Sequence, residues 1–66
     1  MKPSEVKVND LISTDYGLAR VMKFFAPAHI GCVILTPTGK DNTVQGQWIY
    51  LRGFSLEKAK VVAYDI

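Results

Sequence analysis

One cysteine, Cys32, stands in a chain of 66 residues. No disulfide can form within the chain, and a lone thiol suits a reducing compartment. There is also only one histidine, His29. A structural zinc site takes four nitrogen or sulfur ligands, so a single chain cannot build one, and only a symmetric dimer could double the pair. A cysteine nucleophile needs a base within reach. His29 and Cys32 lie three apart across a turn into a strand, a spacing at which extended side chains do not converge. They read as a loop histidine and a buried strand thiol. Long apolar runs are missing too: none approaches the roughly 20 residues that cross a bilayer. The start, Met1-Lys2-Pro3-Ser4-Glu5, alternates onward between charge and valine and has no signal-peptide centre. The expectation is a soluble, cytoplasmic protein with no membrane partner.

Charge of one sign is also scarce, with a net charge of only +2. That alone does not call for a polyanion, but the distribution is uneven. Between Tyr16 and Lys60 lie Arg20, Lys23, Lys40, Arg52, Lys58 and Lys60, against Asp41 and Glu57. Glu5, Asp10, Asp15 and Asp65 sit towards the ends, leaving the middle mildly basic. Hydrophobic residues make up 48% of the chain. A chain this short forms one domain and buries about 60% of the surface that its unfolded form exposes. Some apolar surface must therefore stay exposed or meet another chain, which predicts a homo-oligomer.

Helix signals are few. Turn signals recur instead, at Asp15-Tyr16-Gly17, Ala26-Pro27-Ala28, Pro37 to Asn42 and Arg52-Gly53. Between them lie stretches rich in β-branched and aromatic residues, which suit a pleated surface. Strands are expected at 9–14, 18–25, 31–36, 43–51 and 60–65, after a loose tail at 1–5. One helical turn is expected at 55–59, with Ser55 as its cap and Glu57 near its positive end. Parity and position between turns give Val8, Leu11, Val21, Val33, Leu35, Ile49, Leu51, Leu56 and Val62 as core residues. Gly39-Lys40-Asp41-Asn42 lacks phosphate-loop spacing and reads as a hairpin turn. Asp10, Asp15 and Asp41 read as turn or surface residues rather than acid–base pairs. No catalytic residue, metal or cofactor is assigned.

Five short strands with a helical turn before the last resemble the SH3-like small barrels, a group that includes Tudor and KOW modules. The likeness rests on Val8-Asn9-Asp10-Leu11-Ile12, Tyr16-Gly17-Leu18-Ala19-Arg20-Val21 and Ser55-Leu56-Glu57-Lys58-Ala59-Lys60-Val61, and it spans nearly the whole chain. Asn9 stands where the group often has glycine. The resemblance implies an all-β, five-stranded antiparallel barrel, whose closure shelters strand edges. Gln47-Trp48-Ile49-Tyr50 also resembles the signature strand of type II dihydrofolate reductases, barrels that assemble around an active-site pore. Trp48 replaces their substrate-contacting glutamine and would fill such a pore, so the likeness implies shared architecture without shared activity.

The stretch Gly46 to Phe54 carries the functional reading. Along strand four Trp48, Tyr50 and Arg52 share one face, and Ile49 and Leu51 the other. A buried Arg52 would need a partner, so Ile49 and Leu51 are the core pair and Trp48, Tyr50 and Arg52 face outward. A bulge near Gly46 is the alternative, turning Trp48 inward. The expected binding residues are Tyr16, Arg20, Lys23, Trp48, Tyr50 and Arg52. Arg20 and Lys23 have opposite parity, so a bend must intervene for both to reach one side. The expected function is a non-catalytic binding module whose partner is a protein or a second copy of itself, Trp, Tyr and Arg being the residues enriched at interface hot spots. The alternative is nucleic acid, with the rings as stacking platforms. A Tudor-like cage would draw on Tyr16, Trp48, Tyr50 and Phe54, with no acid conspicuous among them.

Overall fold

The residues read as extended form strands in the structure, a computed structural model that describes residues 5–63. They are β1 (Leu11–Thr14), β2 (Gly17–Ala26), β3 (His29–Pro37), β4 (Trp48–Leu51) and β5 (Lys60–Ala63). A short helix α1 (Phe54–Lys58) precedes β5, and a 3₁₀ turn (Lys40–Asn42) lies between β3 and β4. The expected tail, apart from Glu5, and residues 64–65 of the expected last strand lie outside the described residues. All strand pairs are antiparallel, in one sheet of order β4-β3-β2-β1-β5. This is the all-β, five-stranded fold expected, with its helical turn before the last strand. Ile12 of β1, Ile49 and Leu51 of β4, and Leu56 and Ala59 around α1 share one core cluster. Elements from both ends of the strand order thus meet over one apolar interior, and the sheet bends round it.

Side-chain parity departs from expectation in three strands. In β3 the buried set is Ile30, Cys32 and Ile34, while Val33 and Leu35 are only half-buried. In β1 Ile12 is buried and Leu11 half-buried. Pairing fixes the choice, because Cys32 stands opposite Ile49 and Ile30 opposite Leu51. A one-residue shift in reading flips every side chain to the other face. Val21, Ile49, Leu51 and Leu56 are buried as expected, whereas Val8 is exposed in the turn before β1 and Val6 fills the core place. Val62, also expected inside, is 60% exposed. Ile12 pairs with Val61 and Leu11 with Ala63, so Val62 is the extra residue of a β-bulge.

Local chemistry explains the connections. In the β1–β2 turn the Thr14 hydroxyl accepts from the Tyr16 amide at 3.0 Å and donates to the Gly17 carbonyl at 2.9 Å. Gly17 has φ +127°, and a Cβ there would lie 2.1 Å from the Thr36 carbonyl oxygen. Only glycine fits both constraints. The turn before β1 is clasped by the buried Asp10, whose carboxylate accepts from the Lys7 amide at 2.9 Å. Asn9 beside it adopts φ 79°, the left-handed region that asparagine tolerates. The expected strand at 43–51 is shorter, because residues 44–47 form a turn closed by the Gln47 amide donating to the Val44 carbonyl at 3.2 Å. Gly39 to Asn42 forms the 3₁₀ turn rather than a tight hairpin. Helix α1 starts one residue earlier than expected: Gly53 holds the cap position, Ser55 lies inside, and no side-chain cap hydrogen bond forms.

Candidate functional site

The outer face of β2–β3–β4 collects five of the six expected binding residues, and the strand register explains how. Trp48 pairs with Val33, which pairs with Arg20, which pairs with Leu11. The next row runs from Tyr50 to Gly31 to Lys23. Arg20 and Lys23, of opposite parity, share this face because Met22 is bulged between Val21↔Cys32 and Lys23↔Gly31. That bulge is the bend the sequence required. Trp48 and Tyr50 are 44% and 57% exposed, above the buried Ile49 and Leu51. The turn at Gly46 ends before the strand begins, so it does not rotate Trp48 inward.

Gly31 makes room at the centre. A Cβ on it would lie 2.7 Å from Phe25 Cε2 and 3.2 Å from Trp48 Cζ3, so two rings pack over the bare backbone. Phe25 comes from a second bulge in β2, between Phe24↔Ile30 and Ala26↔His29. Its ring centroid is 5.3 Å from that of His29 and 5.7 Å from that of Tyr50, and His29 meets Tyr50 edge-on at 6.2 Å. Lys23 Nζ sits 5.1 Å from the centre of the Phe25 ring, a cation–π contact. Phe25, His29, Tyr50 and Arg52 line a hollow of about 520 Å³.

Tyr16 is not part of this group. It stands at the other end of β2, its ring half-buried against the core with Lys40 Nζ 5.6 Å from its centre. It lines a second hollow of about 260 Å³ with Asp41, Thr43, Gln47, Ile49 and Tyr50. Nearby, Asp15 takes an ion pair from Lys58 at 2.7 Å and one from Lys40 at 3.5 Å. The hydrogen bond from Lys58 lowers the Asp15 pKa, and the same contact raises that of Lys58.

Phe25 and His29 are the members that sequence reasoning missed. Phe25 follows Phe24 and could claim either face, and His29 opens a strand expected to begin later. Their signal was proximity to the Ala26-Pro27-Ala28 turn, which forces the two ends of the hairpin together. Cys32 faces the other way, wholly buried in the core, and burial pushes its thiol up to about 12. His29 and Cys32 therefore serve opposite faces of β3. Among the described residues no three His, Cys, Asp or Glu side chains gather as a metal-holding group. Nor is any helix there long and apolar enough to cross a membrane. No protein-family model, curated protein or solved structure matches the chain.

Proposed function

We propose that this protein is a non-catalytic binding module of SH3-like type, working in the cytoplasm, and that its binding surface is the outer face of β2–β3–β4. The observation that carries the reading is the convergence of Phe25, His29, Tyr50 and Arg52 around one hollow, with Trp48 beside Phe25 over Gly31 and Lys23 over the Phe25 ring. These rings do not fill the core, which is complete without them. Exposed aromatics set on paired strands with cations beside them form a rigid, amphipathic contact area. A second reading is contact with a protein or a second copy through other apolar surface. It is favoured by Phe54 and Val62, 80% and 60% exposed beyond β4 and on β5.

The test uses ¹⁵N-labelled protein in concentrated cell extract. Amide signals of Lys23, Gly31 and Tyr50 should broaden while those of α1 stay sharp, and all should stay sharp in Trp48→Ala/Tyr50→Ala. Urea unfolding should show that Trp48→Ala costs about 1 kcal/mol or less, the range for an exposed side chain. A cost of about 3–5 kcal/mol would mark Trp48 as core and remove the surface.

A further inference from the structure

Charge around the hollow narrows the choice of partner. Asp10 is buried in the turn before β1, Asp15 is ion-paired at the start of β2, Asp41 lines the second hollow, and Glu57 lies on α1. Among the described residues no carboxylate lines the hollow of Phe25, His29, Tyr50 and Arg52. Lys40 and Lys58 are committed to Asp15, whereas Lys23 and Arg52 form no ion pair among the described residues. Arg20 donates to a neutral group, the Asn9 carbonyl, at 3.2 Å. Among the described residues, three cations on one face thus form no ion pair, and each lies beside an exposed ring or on its row.

We propose, building on the reading of this face as a binding surface, that it binds single-stranded nucleic acid. Bases stack on Trp48, Tyr50 and Phe25, and phosphates meet Arg20, Lys23 and Arg52. Trp48 and Tyr50 stand two residues apart on a strand, about 6.8 Å by the usual rise. That is twice the roughly 3.4 Å between stacked bases. Successive bases must part to use both rings, which a single strand does readily and a duplex does not. The hollow, at about 520 Å³, falls within the roughly 300–1,000 Å³ of small-molecule sites. Arg52 at its rim offers a planar donor fork to a phosphate.

The experiment follows Trp48 fluorescence during titration with oligodeoxythymidine or oligouridine of about 12 nucleotides, a length within the usual site size. Quenching is expected at about 50 mM salt. Affinity should fall towards about 200 mM with a log–log slope near −2, as for three phosphate contacts. Tyr50→Ala should weaken binding roughly 5- to 150-fold while circular dichroism stays unchanged. Arg52→Gln should flatten the slope by about 0.7. No quenching at low salt, equal binding of a duplex of the same length, equal binding of an oligoglutamate, or indifference to Tyr50→Ala each overturns the proposal. If no quenching occurs at low salt while the extract signals still broaden on this face, single-stranded nucleic acid is excluded and the binding surface itself stands.

Discussion

Cys32 carries the clearest pH signature of any single residue. Its thiol stays protonated in the fold to about 12, against an ordinary 9.0, because burial disfavours the thiolate. Between those values the unfolded chain loses a proton that the folded chain keeps. Stability should therefore fall as pH rises from 9 towards 12, by up to about 1.4 kcal/mol per unit from this group. Urea unfolding of wild type and Cys32→Ala across that window isolates the effect, since the other titrating groups are common to both. A constant difference between the two would mean that the thiol is accessible. The inward position of Cys32 was legible, since a lone strand thiol behaves as a small hydrophobe. The faces of Val33 and Leu35 were not. Ile30, Cys32 and Ile34 alternate with residues almost as apolar, so no polar face breaks the tie, and only pairing with Ile49 and Leu51 decides it.

At the scale of the element, two glycines make opposite demands. Gly17→Ala places a Cβ against the backbone of Thr36 at a φ of +127°, and neither can yield cheaply. The expected cost is about 3 kcal/mol or more, enough to unfold much of so small a domain. Gly31→Ala meets mainly the far edge of the exposed Phe25 ring, which can swing away. It should cost about 1 kcal/mol or less yet displace Phe25 from Trp48 and shift the tryptophan emission. Thermal melts and fluorescence of the two variants test the contrast; equal losses would mean the Phe25 packing is structural. Strand number and the helical turn were legible because turn residues and β-branched runs are local signals. The bulges at Met22, Phe25, Leu35 and Val62 were not. A bulge is a count of two residues against one, a property of a strand pair that neither strand states alone.

For the whole molecule, the excess of apolar residues over available interior was legible from composition, and its placement was not. Phe54, Val62, Val44 and Val8 all remain exposed. The protein is expected to self-associate at micromolar concentration, read by light scattering after size exclusion; a 7.3 kDa species persisting at high concentration would exclude it. The two contact modes separate by salt. Apolar association holds as ionic strength rises, whereas phosphate contacts weaken.

The bulge at Met22 makes the composition of the outer face a matter of arithmetic rather than identity. Exchanging Lys23 for another cation leaves its position on the face intact. Removing Met22 would leave Arg20 and Lys23 two apart and still on one side, whereas strict alternation with Met22 kept in the ladder would turn Lys23 to the other. A one-residue change of length between Arg20 and Lys23, in either direction, would make their spacing even and let them share the face without a bulge. What holds the two cations together at their present spacing is the bulge, a property of the strand pair rather than of any one side chain.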